Sequence, residues 1–152
     1  MPVLKLCKLR KVFHLYHEQV NPGFATEPRL LGRELWIEGL ATYASSVIAG
    51  DRDPLHLFYD PDLAARYPLV ARHVARVILE RYDSTSKDDR AAYFRNGSSP
   101  SSEVPARSGY AVGYLAAQRL GAQRSHHDLA VLRGDELDRL IRAALGAIAS
   151  GR

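Results

Sequence analysis

The sequence predicts an all-α fold of about six helices, and three observations carry that expectation. Apolar residues recur every three or four positions, as in Leu6, Leu9, Phe13, Tyr16 and Val20, which is the period of a helix with one buried face. No stretch alternates apolar and polar residues in the way a half-buried strand requires. Short runs of Gly, Pro, Ser, Asn and Asp separate the periodic segments and supply the turns between helices.

The first helix carries the stripe just named on one face. Its other face collects Cys7, Arg10, Lys11, His14 and Glu18, with His17 at the border, and "NPGF" at 21–24 ends it. A second helix over 32–49 presents Trp36, Leu40, Tyr43 and Val47, widened by Ile37, Ala44 and Ile48, before "GDRDP" stops it. Asp60 followed by Pro61 reads as an N-cap and a first helical position. Pro68 then starts a further helix or kinks this one, and Val70, Val74, Val77 and Ile78 form its buried face through Tyr82. "STSKDDRAAYF" predicts a short helix capped by Ser84 or Ser86. "NGSSPSSEVP" at 96–105 reads as a flexible loop, a connector rather than the rim of a cleft.

"RSGYAVGYLAAQRL" at 107–120 returns to helix, with Gly109 and Gly113 on one face. Glycine inside a helix costs about 1 kcal/mol, so close backbone packing is a reason to keep both. Ser125 with Asp128 fits a capping box for one short turn. A last amphipathic helix follows Gly134 and turns Leu137, Leu140, Ile141, Ala144, Leu145 and Ile148 inward. All of this fits a single helical domain over 1–152, long enough to bury a real core.

Composition narrows the function classes. Hydrophobic residues make up 46% and charged residues 25% of the chain, the balance of a soluble globular domain. No apolar run is long enough to span a bilayer. "MPVLKLCKLRKV" lacks the apolar core of a signal peptide, so the chain as it stands reads as cytoplasmic. The single cysteine, Cys7, rules out an intrachain disulfide and a Cys-rich zinc module. The net charge of +4 comes from arginines scattered from Arg10 to Arg152; they read as solvated helix faces, and no nucleic-acid partner is expected. Ser-His-Asp catalysis has no support, since no Gly-x-Ser-x-Gly elbow is present. His126 and His127 read as solvated, and His56 and His73 have no partner at a useful spacing.

Two stretches remain. "HLYHEQV" at 14–20 holds two histidines and a glutamate within five positions, and "ELWIEGLATYAS" at 34–45 places Glu38 at the edge of an apolar arc. Residues four apart differ by about 40° around a helix, so His14 and Glu18 could reach one ion, with His17 between them in angle. Gly39, Ala41, Thr42 and Ser45 beside Glu38 are small, so another helix could approach the carboxylate. A partly buried carboxylate needs a cation, a metal or hydrogen bonds. The plainest partner is an arginine such as Arg33.

"WIEGLATYAS" resembles the ligand-helix motif of gluzincin-type zinc metallopeptidases, and most of all uncharacterised bacterial families of that class. "FHLYHEQ" is similar to the end of their H-E-x-x-H helix, "SGYAVGYLAAQRLG" to a later Gly-Tyr helix, and "LRGDELDRLIRAAL" to their C-terminal helix. The resemblance implies a zinc-dependent hydrolase with a peptide or protein substrate. His14 matches the second histidine of the motif and Glu38 the third ligand, with His17 or Glu18 as further candidate metal ligands. Tyr110, and more weakly Tyr114, match a residue that would stabilise an oxyanion.

The chain departs from the motif where the chemistry is most demanding. Arg10 stands in place of the first histidine and Lys11 in place of the catalytic glutamate. Arginine stays protonated and does not ligate zinc, and lysine does not readily serve as a base at neutral pH. Zinc is therefore expected to be weakly held or lost, since a catalytic site uses three protein ligands. Two expectations follow. Because the departure and the early start coincide, the expected explanation is a chain truncated just upstream of Phe13, with "KLCKLRKV" as foreign sequence; the alternative is a scaffold that kept its fold and lost its chemistry. Truncation would leave an apolar surface inviting a homodimer. The alternative function is a non-catalytic helical module that binds a peptide or protein.

Overall fold

The helix ends follow from local chemistry. In the computed structural model, which describes residues 1–152, eight α-helices run α1 Pro2–Val20, α2 Leu31–Ala49, α3 Pro54–Phe58, α4 Pro61–Glu80, α5 Lys87–Phe94, α6 Ser108–Gly121, α7 His126–Ala130 and α8 Gly134–Ala149, with a 3-10 turn at Pro22–Thr26. The Asp60 carboxylate accepts the Leu63 amide at 2.8 Å, and the Ser86 hydroxyl accepts from the amides of Asp88 and Asp89. Ser125 and Asp128 form the expected capping box. Gly50 ends α2 with φ 67°, a left-handed conformation that glycine adopts without strain. The fold is all-α; the count reaches eight because α3 and α7, five residues each, stand as separate helices. α3 was not expected, although Asp53–Pro54 carries the same start signal as Asp60–Pro61. α4 runs unbroken through Pro68, which lies on its exposed side.

The centre of the molecule is the crossing of α2 and α6. A methyl group at Gly39 would collide with the backbone of Gly113, and one at Gly113 with the backbone of Leu35 and Gly39. The two backbones touch because both side chains are absent, so the paired-glycine expectation holds at Gly113; Gly109 instead accommodates the ring of Phe94 on α5. Around this crossing, Leu31, Leu35, Trp36 and Leu40 of α2 join Val112 and Ala116 of α6, Val74 and Ile78 of α4, and Leu137, Ile141 and Leu145 of α8 in one core. α4 and α8 pack on each other and on α6. All six inward residues expected on α8 are buried.

α1 lies antiparallel on the other side of α2, with the Lys5 ammonium on the carbonyl of Ala49 near one end and His14 beside Glu38 further along. Its buried line is Leu6, Arg10, Phe13 and His17. That line is rotated by about 50° from the expected stripe, so Leu9, Tyr16 and Val20 are only partly covered. The cause is α3, which packs on α1 and whose Leu57 and Phe58 form a second cluster with Leu6, with Leu63 of α4 and with Ala111 and Tyr114 of α6. Residues 5–12 thus belong to a continuous helix whose Leu6 and Arg10 are buried. On α2, Val47 and Ile48 are exposed rather than buried, while Ser45 and Ser46 are buried. α6 approaches the small side of α2, where Ser46 meets Tyr114.

A polar strap closes the opposite side. Arg33 donates to Asp138 at 3.1 and 2.8 Å and pairs with Glu27 at 2.5 Å. The Tyr82 hydroxyl donates to Asp138 at 2.6 Å, and the Arg142 guanidinium lies 3.9 Å above the Tyr82 ring. Arg33 is therefore committed to α8 and is not the partner of Glu38.

Candidate functional site

Glu38 sits where α1, α2 and α6 meet. The close α2–α6 crossing places Tyr110, one turn before Gly113, against this carboxylate. His14 Nε2 lies 3.7 Å from Glu38 Oε2, an electrostatic contact rather than a direct hydrogen bond. Burial pushes the Glu38 carboxyl up, but His14, the Tyr110 hydroxyl and the charge of Arg10 outweigh it and hold its pKa below the ordinary value. Burial and the adjacent Glu38 charge push the Tyr110 phenol up to about 12, against the pull of Arg107 and Arg10. Tyr110 is thus a protonated donor beside a charged carboxylate at neutral pH.

Arg10 lies one helical turn before His14 and is 7% exposed. Its guanidinium donates to the carbonyl of Leu57. Its Cζ lies 4.7 Å from the ring centre of Tyr59 and 5.7 Å from that of Tyr110. Arg107 enters from the other side, 4.3 Å from the Tyr110 ring and 5.6 Å from the Tyr59 ring. It also donates to the Phe58 carbonyl at 3.1 Å and to Asn96 at 2.5 Å. Two guanidiniums and two phenol rings therefore interleave beside Glu38, an arrangement in which each cation faces the negative face of a ring. Tyr59 and Arg107 are the two non-glycine residues with positive φ, at 56° and 62°. Such conformations cost on the order of 1–2 kcal/mol each, so the fold holds this cluster against local strain.

The donor set does not fit zinc. His14 and Glu38 are brought together, but no group of three His, Cys, Asp or Glu side chains is placed to hold an ion. Lys11 is exposed. His17 turns inward, 5% exposed, with its ring 5.0 Å from Phe24 in an edge-on contact and its Nε2 unpartnered. Burial, and secondarily the neighbouring His14, lowers the His17 pKa while Glu18 opposes them. Glu18 is exposed, and with His14 and His17 it borders a small pocket of about 110 Å³.

The remaining candidates go to structural places. Tyr114 is buried between Tyr43 and Phe58. His127 is not simply solvated, since its Nδ1 lies 2.6 Å from the Tyr16 hydroxyl, and His126 stacks edge-on against Tyr43. His56 has a partner after all, Asp51 at 2.9 Å, because the turn before α3 folds back. His73 is exposed.

An open cleft of about 430 Å³ lies beside Glu38 and Tyr110. α2 contributes Glu34, and α5 contributes a wall of Lys87, Arg90, Ala91 and Phe94, continued by Arg95. Arg29 pairs with Glu34 at 2.8 Å, and Arg90 donates to the carbonyls of Thr85 and Arg29. Sequence reasoning passed over this wall because it read the arginines as solvated faces; the helical spacing of Lys87, Ala91 and Phe94–Arg95 was the available signal. It also read Arg10 only as a missing histidine. No family model, curated protein or solved structure matches the chain.

Proposed function

We propose that this chain is a non-catalytic helical domain that binds peptide segments, on a scaffold resembling the gluzincin metallopeptidases. The observation that carries the reading is that Arg10, buried one turn before His14, spends its guanidinium on the Leu57 carbonyl and the rings of Tyr59 and Tyr110 where the resemblance would put a first histidine ligand. His14 and Tyr110 surround the Glu38 carboxylate, and the charge of Arg10 adds to their hold on it. With the base replaced by an exposed lysine and two metal-type donors instead of three, water activation has no agent. The cleft beside Glu38, lined partly by Phe94 and Tyr110, keeps a volume in the range of ligand sites. The burial of Leu6 and Arg10 in α1 supports a scaffold that kept its fold and lost its chemistry.

The test is to pass a random peptide mixture over the immobilised chain with zinc present and analyse both fractions by mass spectrometry. Retention of a subset of intact peptides, with no new termini, is the expected result. Cleavage products that disappear with a chelator, together with about one zinc per chain that is lost in Glu38→Ala, would overturn the reading.

A further inference from the structure

We infer that the cleft beside Glu38 takes an extended acidic peptide, with acidic side chains at positions i and i+4 and an apolar one at i+2. This rests on the peptide-binding reading above and assigns its ligand class. Lys87, Arg90 and Arg95 face the cleft with no carboxylate within ion-pair distance. The two carboxylates on the opposite wall are already engaged, Glu34 by Arg29 and Glu38 by His14 and its neighbours. An incoming acidic group therefore meets unpaired cations on one side and compensated anions on the other.

The spacing sets the pattern. Lys87 starts α5 and Arg95 follows its end, about 12 Å apart along the axis at 1.5 Å per residue. An extended peptide rises about 3.3 Å per residue, so its positions i and i+4 lie about 13 Å apart on one face, which position i+2 shares. Between the two cations the floor carries Ala91, Phe94 and Tyr110 beside Arg90, whose guanidinium is turned to the carbonyls of Thr85 and Arg29. A nucleic-acid strand carries a charge on every unit and would set phosphates against Glu34 and Glu38; a peptide places its charges only at the two ends.

Isothermal titration of the full chain at low salt tests this with five ligands of about ten units. They are a peptide with Glu at i and i+4 around Leu, the same composition with the two Glu adjacent, its Gln version, its Lys version, and single-stranded DNA. The spaced acidic peptide is expected to bind about tenfold more tightly than the adjacent-Glu and Gln peptides. The double variant K87E/R95E changes two exposed side chains; it should abolish that advantage and shift preference toward the Lys peptide, with the circular dichroism of the parent retained. Equal binding of spaced, adjacent and Gln peptides overturns the acidic assignment and leaves the peptide-binding reading standing. Tighter binding of DNA overturns the ligand class. Binding of no peptide overturns both readings.

Discussion

Arg10 is a charge held among rings, and its effect on Glu38 is measurable. Arg10→Met keeps the length of the side chain and removes the charge. The Glu38 pKa is expected to rise, read by carbon NMR of the side-chain carboxyl, while stability changes by less than about 1 kcal/mol because the lost ring and carbonyl contacts offset the relieved desolvation. An unmoved Glu38 titration would show that Arg10 is not its counter-charge. His17 makes a second prediction at this scale. Its folded pKa lies below the ordinary 6.5, so below that pH the unfolded chain takes up a proton that the native chain refuses. Stability therefore falls as pH drops from about 6.5 toward the folded value, and His17→Leu should flatten the slope in urea titrations across that window. Glu38 acts lower. Its depressed pKa contributes stability above the ordinary 4.5 that is lost as pH falls through the folded value, so the two groups separate on the pH axis. The approach of another helix beside Glu38 was legible in its small neighbours, which left room for one. The burial of Arg10 was not, because its partners Leu57 and Tyr59 come from a short helix far along the chain.

The α2–α6 crossing positions the site more than any single contact does. Gly113→Ala sets a methyl against the α2 backbone at Leu35 and Gly39; a loss of about 3 kcal/mol is expected despite alanine's better helix propensity. Gly109→Ala meets the Phe94 ring first, a side chain that can shift, so about 1 kcal/mol is expected there. Urea unfolding of the pair measures the difference, and equal losses would mean that the backbones are not in contact. The element boundaries were largely legible, since caps at Asp60, Ser86, Ser125 and Gly50 announce themselves in residue type. The orientation of α1 was not. Its stripe of Leu9, Tyr16 and Val20 satisfied the helical period, yet contact with α3 and the 3-10 turn turned Arg10 and His17 inward. Periodicity reports which residues share a face and leaves open which neighbour covers it.

On the scale of the whole molecule, Arg33, Asp138, Tyr82 and Arg142 tie α2, α8 and the end of α4 together. Asp138→Ala leaves the nearly buried Arg33 with Glu27 alone, and a loss of about 2 kcal/mol is expected by thermal or urea unfolding. A loss within about 0.5 kcal/mol would place the strap among ordinary surface ion pairs. The core of α8 was readable in full from its spacing, whereas this strap joins residues too distant in sequence for any local pattern to pair them. No helix is long and apolar enough to cross a membrane. The outer face of α1 leaves Leu4, Val12 and Leu15 exposed beside Lys8 and Lys11. Because α1 is covered from one side only, while α2 and α6 are enclosed by helices around them, the molecule has a built-in order of opening. Amide protons of α1 should exchange with solvent before those at the central crossing. Each such excursion carries His14 and Arg10 away from Glu38, so the carboxylate would lose two of the groups that favour its charged form for as long as the outermost layer is detached.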